Sequence, residues 1–165
     1  MRTLEKISLK QFLKDTNLPK EEYDNYNIPK RSTKHSAGYD FEILEQFTIN
    51  PNESKLIPTG IKANMNEDEV LLLIVRSSTG IKHNIRLNNQ VGVIDKDYYN
   101  NKNNEGHIFI KITNVGKETK TFNKEDKIVQ GIFTKFLIID NEEKINKNRI
   151  GGIGSTTKKE SEKNE

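Results

Sequence analysis

The chain has 165 residues, enough for one domain with a substantial core, and its 27 lysines and arginines against 24 acids give a formal net charge of +3. It contains no cysteine, which excludes a disulfide framework, a thiolate metal site and a thiol nucleophile, and suits a reducing compartment. The opening residues lack the apolar stretch of a secretory leader, and the longest apolar run, Val70 to Val75, is far short of a membrane span. The expectation is therefore a soluble cytoplasmic protein with no membrane partner.

In chain order, Ser8 to Gln11 has the spacing of a capping box, and Leu9, Phe12 and Leu13 recur at helical intervals, which predicts one short helix over residues 8–15 and no other. From Tyr39 the pattern changes to short β-type runs: YDFEI, FTI, KLIPTGIKA, EVLLLIV, QVGVI, HIFIKIT, KTF and KIVQGIFTKFLII. Asn, Gly, Pro and Asp turns separate them at close intervals, so the fold class is all-β, a sandwich or barrel. Residues 1–27 read as an N-terminal extension, 28–147 as the β domain, and 148–165 as a flexible C-terminal arm with no apolar residue after Ile153.

Lysine is the usual cation here, and the arginines are Arg2, Arg31, Arg76, Arg86 and Arg149. An arginine set among hydroxyls and glycines points to bidentate binding of an oxyanion. Arg76-Ser-Ser-Thr-Gly80 follows the most apolar run and offers hydroxyls and backbone N–H groups as an anion nest, although taken alone it reads first as an ordinary polar turn. Arg149-Ile-Gly-Gly-Ile-Gly-Ser-Thr-Thr157 offers a second arginine, though taken alone it reads first as a flexible linker. Asp95 and Asp97 end the run QVGVI, where a carboxylate at the mouth of a sheet can hold and deprotonate a water or simply solvate a hairpin. Tyr98 and Tyr99 beside them can pack on a sugar or base, or on the sheet itself. His35, His83 and His107 are too dispersed for a metal site, and each reads as a surface or turn residue. The lysines alternate with acids instead of forming a stripe, which reads as a solvated surface with no stable nucleic-acid binding.

Taken in order, these stretches resemble the trimeric dUTPase family of bacterial or phage type, from about Ile28 to Thr157. Ala37-Gly-Tyr-Asp-Phe41 is similar to the family's first motif, Arg76 to Gly80 to its second, and Gly92-Val-Ile-Asp-Lys-Asp-Tyr98 to its third. Asp126-Lys-Ile-Val-Gln-Gly131 is similar to the fourth, and the Arg149 segment to the fifth. The resemblance implies a β-clip, or distorted jelly roll, assembled as a homotrimer whose sites are shared between subunits. It implies hydrolysis of dUTP to dUMP and pyrophosphate with Mg2+ as cofactor. By the same resemblance Asp95 is the general base, Asn89 and the strand around Val93 meet the uracil, and Tyr98 packs on the deoxyribose. Arg76, Ser77, Ser78, Gly80 and Gln130 hold the phosphates, and Arg149, Ile153, Gly154, Ser155 and Thr156 close the site. No residue would ligate the metal directly, with Asp40 and Gln130 reaching it through water.

The chain departs from the family pattern in places. Ile153 stands where a stacking phenylalanine is usual, with Arg149 one residue closer, and Ser78 replaces a common glycine. Tyr99 to Asn104 is an apparent insertion, expected as an exposed loop. The related dCTP deaminases require a glutamate where this chain has Lys111 and an arginine where it has Ile81, which disfavours deamination. A dUTP-binding regulatory protein of phage type, and a basic nucleic-acid-binding β domain, are the other readings.

Overall fold

The structure is a computed structural model that describes residues 1–145 and Gly151. The described chain is built from strands β1 (Thr3–Lys6), β2 (Lys30–Arg31), β3 (Tyr39–Glu42), β4 (Phe47–Ile49), β5 (Ser54–Pro58), β6 (Ile61–Asn64), β7 (Glu69–Val75), β8 (Ile85–Leu87), β9 (Gly92–Ile94), β10 (Phe109–Asn114), β11 (Lys120–Phe122) and β12 (Lys127–Lys135). Two helices, α1 (Leu9–Thr16) and α2 (Lys20–Asn25), lie near the N-terminus. The all-β class expected from the turn spacing is what the chain forms. None of the described helices is long and apolar enough to cross a membrane.

The strands form four sheets, the largest ordered β2-β3-β12-β7-β9 and a second ordered β5-β10-β8, with the pairs β1-β6 and β11-β4. Every pairing is antiparallel. The alternation that marked these runs in the sequence is the alternation of core and solvent faces. In β10, Ile110, Ile112 and Asn114 are buried while Lys111 is exposed. Phe41, Leu71, Leu73, Ile85, Ile112, Ile128 and Val129 meet in one core, and residues from the N-terminal segment join it.

The single helix expected over residues 8–15 corresponds to α1, one residue later. Ser8 is its N-cap, with the hydroxyl accepting from Gln11 N at 3.2 Å. The reciprocal half of a capping box is not made, because Ser8 N donates to Glu105 Oε2 and Gln11 Nε2 donates to Asp15. The expectation of no other helix is corrected by α2, whose six residues include none that is fully buried and so carry no apolar period. Phe12 is completely buried, stacked on Tyr26 at 5.4 Å and edge-on to Tyr23 at 5.4 Å. The run KLIPTGIKA divides into β5 and β6 at Gly60, which adopts φ +72 and lies so close to the Tyr26 ring that a Cβ would stand 2.9 Å from it.

His107 closes a turn, its backbone N–H donating to Asn104 O at 2.9 Å, but its side chain is wholly buried, which corrects the expectation of a surface residue. Its Nε2 accepts from Gly60 N at 2.9 Å, so that nitrogen carries no proton and Nδ1 donates to Asp15 Oδ2 at 2.6 Å. Burial holds the imidazole pKa below its ordinary 6.5, an effect that the hydrogen bond to Asp15 and the charges of Asp15 and Glu105 only partly offset.

Two outcomes follow from this packing. Phe12→Ala should cost about 3–5 kcal/mol of stability in urea unfolding, the scale for removing a buried ring. For His107, the folded state holds the proton less tightly than the unfolded state, so its contribution is complete above the unfolded value of 6.5 and is lost as the pH falls below it. The urea midpoint should decline between pH 7.5 and 5.5, and His107→Gln, which can still accept from Gly60, should flatten that decline. An unchanged slope in the variant would remove His107 as its source.

Candidate active site

Strand β9 ends the large sheet, and its exit places Asp95 in extended backbone just before a single 3-10 turn over Lys96–Tyr98. Tyr98 N donates to Asp95 O at 3.1 Å, which closes the turn that carries both residues. Asp95 and Tyr98 line a cavity of about 410 Å³ together with Asn89, Val93, Leu56 and Phe109. Asn89 reaches it from the tight turn between β8 and β9, where Gln90 takes φ 59 and its N–H donates to Leu87 O at 3.0 Å. Val93 is 57% exposed, so β9 presents both an apolar side chain and its backbone to this space. Apolar walls with a few polar groups at the rim are the composition of a small-molecule site.

The residues of the Arg76 stretch lie elsewhere. β7 ends at Val75, and Ser78–Lys82 forms a π-helical turn in which Gly80 N donates to Arg76 O at 2.9 Å. Arg76 and Ser78 line a separate polar hollow of about 270 Å³ with His83, Lys120 and Lys127, while Ser77 is exposed beside them. Arg76 Nε contacts Asp40 Oδ1 at 3.0 Å, and Ser32 Oγ donates to Asp40 Oδ2. Asp40 is only 5% exposed, so its charge is compensated by that arginine and hydroxyl.

Gln130 stands opposite Asp40 in the β12–β3 register and opposite Ile74 in the β12–β7 register. Its side chain lies over Gly38, where a Cβ would fall 2.1 Å from Gln130 Oε1. The first motif's glycine is thus what admits the glutamine. Asp40, Arg76 and Gln130 are gathered on one side of the sheet, and Asp95, Asn89, Val93 and Tyr98 on the cavity beyond β9. Among the described residues Arg76 and Asp95 line different hollows. Arg149, Ile153, Gly154, Ser155 and Thr156 lie outside the described residues.

The expectation of an exposed loop from Tyr99 to Asn104 is corrected in part. Lys102 and Asn103 are exposed, but Asn101 is buried, donates to Tyr98 O at 2.8 Å and accepts from the backbone of Asn103 and Asn104. Asn104 Nδ2 donates to Tyr98 Oη at 2.9 Å, and that hydroxyl donates to His107 O at 2.8 Å. Asn101 and Asn104 are folded inward because their amides satisfy the turn's backbone. Sequence reasoning also missed Leu56, Phe109 and Lys111 as cavity walls. Leu56 and Lys111 are cross-strand partners of β5 and β10, a pairing no local pattern encodes. Among the described residues there is no group of three or more histidines, cysteines, aspartates or glutamates that could hold a metal ion.

A family model described as dUTPase matches residues 24–157. The chain is 53% identical over 131 residues to a deoxyuridine 5'-triphosphate nucleotidohydrolase of Lactococcus lactis, covering 79% of this chain and 87% of the relative. It is 33% identical over 138 residues to the protein of the same description from Chromobacterium violaceum, covering 79% and 87%. A crystal structure of dUTPase from Streptococcus mutans superposes with a TM-score of 0.67 at 43% identity, covering 83% of this chain and 98% of that one. A mutant dUTPase from phage phi11 of S. aureus, described with a structural Mg(II) ion, shares the fold at 20% identity and a TM-score of 0.66, covering 89% and 97%. With the matched region spanning all the motifs placed above, from Gly38 beneath Gln130 to Asp95 on the cavity lining, this chain belongs to the dUTPase family.

Proposed function

We propose that this dUTPase hydrolyses dUTP to dUMP and pyrophosphate, with Asp95 activating the water, at sites assembled between three subunits. The activity keeps uracil out of DNA and supplies dUMP for dTMP synthesis. The observation that carries the reading is the apolar cavity lined together by Asp95, Asn89 and Tyr98. A pyrimidine fits between such walls, with the Asn89 amide and the β9 backbone offering donors and acceptors for its edge and the Tyr98 ring facing the sugar.

In the proposed reaction Asp95 takes a proton from a water as its oxygen attacks the α-phosphorus. The bond from that phosphorus to the α–β bridging oxygen breaks, and pyrophosphate leaves with the electron pair. A base here works by orienting the water and removing its proton as charge develops, typically about 10²–10⁴-fold in rate. The triphosphate repels any attacking oxygen, so cations must offset its charge first. Arg76 supplies a fork for this, held in place by Asp40, while Ser77, Ser78 and Gln130 supply neutral donors and the Gly80 N–H, bonded to Arg76 O, shapes the turn around them.

Magnesium, when bound, neutralises charge across the phosphates. The described donor set fits an ion carried by the nucleotide and its waters, for Asp40 is already committed to Arg76 and Ser32 and only Gln130 stands beside it.

Two observations support sharing between subunits. Arg76 and Asp95 face different hollows of the same chain. Beyond β12 the side chains of Leu137, Ile138 and Ile139 are 97%, 66% and 67% exposed in succession, an apolar surface that a neighbouring copy would cover. The arm from Arg149 would then close a site whose Asp95 comes from another subunit.

Asp95→Asn should lower turnover by at least about a hundredfold while dUTP binding stays within about tenfold, since the amide keeps the shape but takes no proton. A variant retaining more than a tenth of the rate would remove Asp95 from this role. Sharing is tested by refolding Asp95→Asn together with a chain lacking residues 148–165. Mixed trimers should regain activity that neither parent has, and mixed trimers seen by mass spectrometry without such activity would exclude a shared site.

A further inference from the structure

The stretch that follows Asp95 is fastened to the first sixteen residues at three points. Tyr99 Oη donates to Glu5 Oε2 at 2.7 Å. Ser8 donates twice to Glu105, from its backbone N–H to Oε2 at 2.9 Å and from its hydroxyl to Oε1 at 2.6 Å. His107 Nδ1 lies 2.6 Å from Asp15 Oδ2, on a helix whose Phe12 is locked into the core. These ties fall immediately after Tyr98 and at the two residues flanking Gly106. At Gly106 the backbone takes φ +82, and a Cβ would stand 2.6 Å from Tyr98 O. Tyr98 in turn is joined to the same stretch through its hydroxyl, to His107 O and to Asn104. A shift of the His107 backbone therefore carries the Tyr98 ring with it.

We propose that the N-terminal segment is a positioning brace for the Tyr98 ring, with Ser8 and Asp15 as positioning residues that set the selectivity for deoxyribose over ribose. The inference rests on the reading that Tyr98 faces the sugar. The physical argument is one of tolerance. Rejecting one extra hydroxyl requires the ring to stay within a fraction of an ångström of its place, since a displacement of about 1 Å can change a rate by as much as a hundredfold. The 3-10 turn that carries Tyr98 is too short to hold it alone. The buried Asp15–His107–Gly60 chain supplies the stiffness, because Gly60 N and Asp15 grip both nitrogens of one ring.

The test compares kcat/KM for dUTP with that for UTP in the full-length protein, below its melting temperature. In the Ser8→Ala/Asp15→Asn double variant the ratio should fall by about tenfold, with dUTP KM raised and kcat changed by less than about threefold. Ser8→Thr, which keeps the hydroxyl, should hold the wild-type ratio. Arg2→Ala, which loosens the other end of β1 at its 3.4 Å contact with Glu69, should leave the ratio unchanged. A double variant with the wild-type ratio, measured beside a Tyr98→Ala chain whose ratio has collapsed, overturns the brace while leaving the sugar reading intact. An Arg2→Ala ratio as low as that of the double variant shows general loosening and also overturns it. If Tyr98→Ala itself keeps the ratio, the sugar reading falls and takes this inference with it. Should the double variant fail to fold, Tyr99→Phe removes the Glu5 tie by a single hydroxyl, and a wild-type ratio there is likewise a refutation.

Discussion

Strand β7 is hydrogen-bonded along both edges, to β12 from Glu69 to Val75 and to β9 from Leu71 to Leu73. Those two ladders place the chemistry of the chain. The first sets where Arg76 leaves the sheet beside Asp40 and Gln130, and the second sets where β9 delivers Asp95. A slip of one residue in either would turn Leu71 and Leu73 out of the core, so burial of those side chains fixes the register. Gly92, opposite Leu73, lets the strands approach so closely that a Cβ there would lie 3.1 Å from Leu73 Cβ.

The ion pair between Asp40 and Arg76 binds stability and chemistry together. Asp40 is buried, and the guanidinium that neutralises it is a third exposed and directed toward the polar hollow. Removing the arginine would leave an uncompensated carboxylate inside the sheet, a loss that breaking a buried pair usually makes severe. Loss of activity in an Arg76 variant would therefore mix two causes, and substituting Asp40 and Arg76 together would separate them.

Much of this was legible in the sequence, for reasons that are themselves physical. β7, β10 and β12 announce themselves because each alternates or runs apolar over six residues or more. β1, with Leu4 its one apolar residue, β2 with two residues and β8 with three leave no such trace, and their strand character comes from partners. Asp95 and Tyr98 were readable as neighbours of a carboxylate-ended strand, and the structure sets both on one cavity. Leu56, Phe109 and Lys111 were not readable, since their place on its wall depends on β5 pairing with β10. His107 is the sharpest case. Nothing near it distinguishes a buried imidazole from a turn residue, because the groups that grip it, Gly60 N and Asp15, lie 47 and 92 positions away.

The central position of β12 bears on how the chain is made. It is the last of the described strands in sequence, yet it lies between β3 and β7 in the middle of the five-stranded sheet. During synthesis β3 and β7 emerge long before their common partner, and each offers an open edge in the meantime. The Gln130–Asp40 pairing joins residues ninety positions apart, so this ladder cannot form before β12 has been made. A chain cut short before Lys127 would thus be not a shortened dUTPase but two unjoined half-sheets, with Leu71 and Phe41 in want of the strand that unites them.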